Sequence, residues 1–131
     1  MTRISVDFDG CLSEKHVQNT VREIIAKGYD VFILTSRNDG ILRIDYSHEY
    51  GTNEVVYKVA SEVGVKTWKV CFTNQTSKAK YLANTKIQIH IDNDPKELEA
   101  IRTLTKVKGF NSTLANFEET LWEYLENIEN F

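Results

Sequence analysis

The chain has 131 residues, 41% hydrophobic and 27% charged, with a formal net charge of -3. That length and mix predict one globular domain with a real core, and the slight acidity argues against a protein that coats nucleic acid or a membrane surface, without excluding a nucleotide substrate. Cys11 and Cys71 are too few and too far apart for a disulfide framework or a zinc site, no secretory apolar segment follows Met1, and no apolar run spans a bilayer, so a reducing cytoplasm is the expected location.

The first predicted element is a buried strand, Ile4 to Phe8. Period 2 puts Ser5, Asp7 and Asp9 on one side and Ile4, Val6 and Phe8 on the other. Asp7 and Asp9 then fall at the strand's C-terminal edge, where Gly10 lets the backbone turn. Two carboxylates there need a partner, and a divalent cation suits them. Taken alone, Asp-x-Asp-Gly is equally a turn whose carboxylates cap backbone amides.

A helix is predicted over Lys15 to Lys27, with Val17, Val21, Ile24 and Ile25 on one face and Gly28 as its stop. Tyr29 to Leu34 reads as a second strand, apolar enough to be covered on both faces. It runs into Thr35, Ser36 and Arg37. Asn38 to Gly51 is expected to be a loop with at most a helical turn.

Next come a helix over Asn53 to Val63, a stop at Gly64 and a short strand from Val70 to Thr73. Thr76 or Ser77 is the expected cap of a short helix, Lys78 to Asn84. A fourth strand, Lys86 to Ile91, leads into Asp92, Asn93 and Asp94. Pro95 opens a helix to Leu104, with Asp94 as the expected N-cap. Val107 to Phe110 reads as an edge strand. Ser112 or Thr113 starts the last helix, whose stripe is Leu114, Phe117, Leu121, Leu125 and Ile128, widened by Trp122 and Tyr124.

Strands alternating with helices predict an α/β fold of three layers around a mainly parallel five-stranded sheet, Rossmann-like in type. Ligands of such sheets bind beyond the carboxyl ends of the strands. Asp7 with Asp9, Thr35 with Ser36 and Arg37, and Asp92 with Asn93 and Asp94 all belong to that rim. Lys78, at the start of a following helix, joins them.

This order resembles the haloacid dehalogenase superfamily: Asp7-Phe8-Asp9-Gly10 after a strand, Thr35-Ser36-Arg37 after a strand, Lys78, then Asp92-Asn93-Asp94 after a strand. The resemblance covers roughly Ile4 to Leu98. It implies a Mg2+-dependent phosphohydrolase of the superfamily's fold, a single domain over residues 1–131. In it Asp7 is the nucleophile that becomes an aspartyl-phosphate, and Asp9 is the general acid and then base. Thr35 binds a phosphoryl oxygen, with Ser36 as the alternative if the strand runs one residue further. Lys78 neutralises the nucleophile and the transferring group. Asp7, the Asp9 carbonyl and Asp92 bind Mg2+.

The chain departs from the family pattern twice. Cys11 stands where the family usually has threonine, and Asn93 where many relatives have a second aspartate. A reactive Cys11 thiol is the alternative to a supporting one, although no histidine stands near it in sequence. Asn93 brings an oxygen but no charge, and Asp94 reads either as compensating for it at the metal or as the helix cap alone. Lys80 is the competitor of Lys78, placed further from the helix start. Arg37 reads either as a substrate contact or as an exposed rim arginine. His90, between Ile89 and Ile91, reads as packed and hydrogen-bonded; His16 and His48 read as solvated.

Two further function classes stay open: a non-catalytic Mg2+- and phosphate-binding regulatory module, and a phosphotransferase using the same aspartyl-phosphate. No stretch is long enough for a separate cap domain. The expectation is therefore an open site, covered at most by the loop Asn38 to Gly51 or by another copy of the chain in a homo-oligomer. Such a site suits a nucleotide, a nucleic-acid terminal phosphate or another bulky phosphoester, with Arg37, Arg43 and Lys58 as cations near it. No membrane partner is expected.

Overall fold

The computed structural model describes residues 2–39 and 53–129. The expected loop from Gly40 onward, with its Ile41, Leu42 and Ile44 patch, Arg43, His48 and Gly51, lies outside the described residues.

The elements alternate as the sequence predicts. Strand β1 is Arg3–Val6, helix α1 Lys15–Ala26, β2 Asp30–Thr35 and α2 Glu54–Val63. Then come β3 Val70–Phe72, α3 Lys78–Leu82, β4 Ile89–Asp92, α4 Pro95–Leu104, β5 Lys108–Asn111 and α5 Phe117–Glu129. Among the described residues the five strands form one sheet, ordered β3-β2-β1-β4-β5 and parallel throughout. The chain fills one half of the sheet from β1 outward, then crosses back to place β4 on the other side of β1. The order reverses there, and the carboxyl ends of β1 and β4 face a common crevice.

The core has two parts, one per sheet face. Ile4, Val6, Val31, Ile33, Ile89 and Ile91 pack with apolar residues of α1, α2 and α5. Leu34 packs with Ala79 and Leu82 of α3, Ile101 of α4 and Val107. Alternation along each strand sends successive residues to opposite faces of the sheet, and so to the two sets of helices in turn. Each fully buried Leu or Ile contributes on the order of 2 kcal/mol to folding, so this patterning fixes strand register firmly.

Element ends follow local chemistry. Gly28 and Gly64, at φ 96° and 99°, end α1 and α2 as predicted. Asp94 caps α4 by accepting from Lys96 N–H at 2.9 Å, and Pro95 takes the first helical position. β5 is the sheet edge, as expected.

Several expectations are corrected. β1 stops at Val6, not Phe8, because Phe8–Leu12 closes a wide turn, with Leu12 N bonded to Asp7 O (3.0 Å) and Ser13 N to Phe8 O (2.9 Å). Asp9 therefore lies in a turn and does not continue the strand's alternation. β4 begins at Ile89 and not Lys86: Ile87 N–H is taken by Thr85 Oγ1 (3.3 Å) instead of a ladder. Ser77 occupies the N-cap of α3 without a side-chain capping bond, and α3 ends at Leu82, short of Asn84. The last helix starts at Phe117, five residues after Ser112, and Leu114 is exposed. No helix of the described residues is long and apolar enough to cross a membrane.

Candidate active site

β1 delivers Asp7 to the crevice one residue past its last ladder position, where Asp7 N–H still donates to Ile91 O at 2.9 Å. β4 delivers Asp92 beside it, and the first residue of α3 delivers Lys78. Lys78 Nζ donates to Asp7 Oδ1 at 2.5 Å and to Asp92 Oδ2 at 2.8 Å. All three are buried: Asp7 is 5% exposed, Lys78 3% and Asp92 0%. Lys80, the competing lysine, is exposed. Helix α3 turns Lys78 inward together with Ala79 and Leu82, one apolar face anchoring the cation.

Two buried carboxylates share one ammonium, and the charges respond accordingly. Burial pushes Asp7 up to about 7 against the pull of Lys78, and repulsion from Asp92 adds to it. Burial works against the Lys78 ammonium, yet Asp7 and Asp92 together outweigh it and hold Lys78 above the usual lysine range. Burial alone would raise Asp92. Hydrogen bonds from His90 and Lys78, together with the Lys78 charge, instead hold it down to about 2.

Asp92 is fully occupied. Its Oδ2 accepts from Lys78 and from His90 Nε2 (2.8 Å), and its Oδ1 from the backbone N–H groups of Asn93 (2.8 Å) and Asp94 (3.1 Å). These four donors use the lone-pair sites a carboxylate offers. Asp92, which the resemblance places at a metal, holds Lys78 in this structure.

Asn93 takes the adjacent position. Oriented to satisfy its neighbours, its amide nitrogen donates to Asp7 Oδ2 at 2.9 Å and to the Asp9 carbonyl at 3.1 Å. Gly10, at φ +71°, permits this approach: a Cβ on it would stand 2.6 Å from the Asn93 amide. Asp7 Oδ2, the Asp9 carbonyl and the Asn93 amide thus converge on one point of the rim. Among the described residues, no group of three or more His, Cys, Asp or Glu side chains is arranged to hold a metal ion. The convergent set is of mixed kind, one carboxylate, one backbone carbonyl and one amide.

Asp9 is the outermost member, its side chain one-third exposed. Arg37 Nε and Nη2 donate to its two oxygens at 2.8 and 2.6 Å. Arg37 is not the exposed rim residue of the sequence reading: it is 1% exposed, with its guanidinium 5.3 Å from the Phe8 ring centre. Nη1 also reaches Asn53 Oδ1 at 3.4 Å.

Thr35 is the last residue of β2 and is fully buried, whereas Ser36 lies just past the strand and is half-buried. The strand end therefore favours Thr35 over Ser36 as the residue at the crevice. Thr35 Oγ1 accepts from Arg37 N–H at 3.3 Å.

Cys11 is fully buried, its thiol 3.8 Å from Ile91 O, and burial pushes it far above the usual thiol range. That removes the reactive-thiol alternative. His90 is packed and hydrogen-bonded, as the alternation implied. His16, read as solvated, is exposed but bonds Ser112 O through Nε2 at 2.9 Å.

The structure thus brings together Asp7, Lys78 and Asp92, links Asp9 to them through Asn93, and sets Thr35 at the end of β2, bonded to Arg37 N–H. The sequence reading missed Ser5, the clamp formed by Asn93 and the grip of Arg37 on Asp9. A signal for Ser5 existed: residues two apart from Asp7 and Asp92 on adjacent strands share a face. No protein-family model matches the chain, and no curated protein matches it.

Proposed function

We propose that the chain is a Mg2+-dependent phosphohydrolase of the haloacid dehalogenase type, acting through an aspartyl-phosphate on Asp7. One observation carries this reading: the buried Asp7–Lys78–Asp92 triad at the crevice where strand order reverses, with Lys78 2.5 Å from Asp7. An ammonium held there faces the point where charge develops as a phosphoryl group transfers.

Each step has a residue. The Asp7 carboxylate attacks phosphorus, and the leaving oxygen departs with a proton from Asp9. Water, with Asp9 as base, then hydrolyses the acyl phosphate. Thr35 would donate to a phosphoryl oxygen. Lys78 balances charge on Asp7 and on the transferring group. Asp92 holds Lys78 and keeps it charged.

The residues suit Mg2+ in a form different from the sequence expectation. Asp7 Oδ2, the Asp9 carbonyl and Asn93, turned to present its amide oxygen, are hard oxygen donors of the kind Mg2+ takes with several waters. A cation there supplies positive charge that favours the ionised Asp7 and the incoming phosphate. In this arrangement Asp92 would keep its four donors and act through Lys78.

One observation favours the second reading, a phosphotransferase or regulatory phosphate-binding module. Arg37 holds both oxygens of Asp9, the group that must give and take the proton. If Asp9 stays so held, a phosphate whose leaving oxygen departs as a stable anion, such as an aryl oxide, still forms the phosphoenzyme, and that phosphoenzyme persists for want of a base.

Incubation with a generic aryl phosphate and Mg2+ separates the two. Continuous release of phosphate supports the hydrolase; a stoichiometric burst that leaves a stable acyl phosphate supports the second reading. Asp7→Asn should abolish both. Turnover at the wild-type rate by that variant would overturn the mechanism. As substrate class we infer nucleotides or nucleic-acid terminal phosphates, since no separate cap domain interrupts the described elements. A kcat/KM far higher for a small sugar phosphate than for nucleotides and oligonucleotide ends would reject that class.

A further inference from the structure

Behind the rim lies a buried pair that the proposed reaction does not use. Ser5 of β1 and His90 of β4 are register partners, and both are fully buried. They form a polar island on the sheet face that otherwise packs Leu34, Ala79, Leu82 and Ile101. An apolar pair would fill that space without polar atoms to satisfy. Ser5 Oγ lies 2.6 Å from His90 Nδ1, and His90 Nε2 lies 2.8 Å from Asp92 Oδ2. Asp92 Oδ2 in turn accepts from Lys78 Nζ, which reaches Asp7. Five buried side chains therefore form one line from the core to the nucleophile.

The inventory of donors fixes the direction of every bond in that line. His90 is fully buried, which disfavours a charged imidazolium, so the ring carries one N–H. Asp92 is ionised and only accepts. The ring proton is therefore on Nε2, Nδ1 is the acceptor, and the Ser5 hydroxyl donates to it. The opposite tautomer would face the Nε2 lone pair against a carboxylate oxygen.

We propose that Ser5 and His90 are positioning residues for Lys78: Ser5 selects the Nε2–H tautomer of His90, and that N–H fixes Asp92 Oδ2 where it shares the lysine with Asp7. Neither touches substrate. Without the His90 donor, Asp92 Oδ2 keeps Lys78 as its only side-chain donor and draws the ammonium away from Asp7. The same arrangement orients ligating histidines and catalytic imidazoles through an outer partner.

This inference rests on the phosphohydrolase reading for its kinetic consequence, but not for its geometric one. The test uses the full chain with His90→Leu, His90→Gln and Ser5→Ala. The glutamine amide nitrogen can reach the Nε2 position and donate to Asp92. Long-range 1H–15N spectra of the wild type should show the Nε2–H tautomer, and Ser5→Ala should lose that single form. The Lys78 ammonium resonance, assigned with Lys78→Met, should shift in His90→Leu and return toward wild type in His90→Gln. With an aryl phosphate and Mg2+, kcat should fall about 10–100-fold in His90→Leu with KM nearly unchanged, and His90→Gln should recover most of it. An Nδ1–H tautomer in the wild type overturns the proposal. So does equal impairment of His90→Leu and His90→Gln. If His90→Leu does not fold, Ser5→Ala decides through the tautomer and the Lys78 resonance. Absence of any wild-type turnover rejects the phosphohydrolase reading alone, because the two spectroscopic readouts still decide the role of Ser5 and His90.

Discussion

Arg37 grips Asp9 through two nitrogens, Nε at 2.8 Å and Nη2 at 2.6 Å, while its own side chain is 1% exposed. The fork geometry explains why arginine stands here and lysine would not serve. A buried cation holds a one-third-exposed carboxylate in a single orientation at the mouth of the crevice. After Asp9 gives up its proton, the guanidinium is placed to balance the charge left behind. Arg37→Lys keeps the charge and loses the fork. It should cost about 1–2 kcal/mol of stability, discounted for the exposure of Asp9. It should also lower kcat about tenfold. Combining it with Asp9→Asn should add little further loss, because the two act as one unit. A double-mutant cycle in kcat measures this, and additive losses would mean that Arg37 acts on something other than Asp9.

Asn93 and Asp94 are neighbours with separate tasks. Asn93 faces Asp7 Oδ2 and the Asp9 carbonyl, and Asp94 caps α4. Asn93→Asp would put a carboxylate against two oxygens. It should destabilise the metal-free protein and tighten Mg2+ binding, since the added charge is relieved only by a cation. Asp94→Ala should cost about 1 kcal/mol as a lost cap and leave Mg2+ affinity alone. Asp92→Ala should weaken Mg2+ binding less than Asn93→Ala, because Asp92 is committed to Lys78. Calorimetric Mg2+ titrations of the four variants rank them. Equal loss in Asp92→Ala and Asn93→Ala would return Asp92 to the metal.

The Asp92 carboxylate also sets a pH dependence whose sign follows from its low folded value. Asp92 is held at about 2, against an ordinary 3.8. Its contribution to stability is therefore fully present above the ordinary value and is lost as pH falls through about 2. That pH-dependent part is worth about 2 kcal/mol. The stability difference between wild type and Asp92→Asn should narrow between pH 4 and pH 2 as Asp92 itself is protonated, separately from the change near pH 7 where Asp7, freed of Asp92 repulsion in the variant, titrates differently. Chemical denaturation at several pH values reads it directly. A gap that stays constant down to pH 2 would show that Asp92 gains no stabilisation from the Lys78 charge or the His90 hydrogen bond.

Where sequence chemistry was local, it was legible. Asp94 before Pro95 named its own helix start, and Gly64 named a stop. The last helix starts later than Ser112 or Thr113 because Asn111 intervenes: its side chain accepts from Thr113 N–H (2.9 Å) and Thr113 Oγ1 (2.7 Å). That Asx turn spends the capping residues on a bend and leaves Leu114 outside. Asp7, Thr35, Lys78 and Asp92 were legible because each stands at or just past a strand end or at a helix start, and parallel topology gathers those ends on one rim. The Ser5–His90 pair depends on which strands are neighbours and in what register, which period-2 alternation does not state. The Asp9–Arg37 and Asn93 contacts depend on the turn after Val6, whose backbone leaves the strand two residues earlier than the apolar run suggests.

The balance of charge in the crevice leads to the last prediction. Asp7 and Asp92 share one buried ammonium, so the ionised triad carries a net negative charge away from water. Burial and Asp92 repulsion are what push Asp7 up to about 7. A carboxylate raised in the folded state contributes stability below its ordinary value and loses it as pH rises through about 7. At pH 8 without divalent cation, the wild type should therefore carry the full cost of that excess charge. Asp7→Asn removes the charge and leaves Lys78 and Asp92 as a neutral pair. The variant should be at least as stable as the wild type at pH 8 and less stable relative to it at pH 5. Mg2+ should reverse the order at pH 8, raising the melting temperature of the wild type and leaving Asp7→Asn nearly unmoved. Thermal unfolding of both proteins at the two pH values, with and without Mg2+, is the measurement. A wild type more stable than Asp7→Asn at pH 8 in chelator would show that Lys78 fully compensates both carboxylates and that the site has no deficit for a cation to fill.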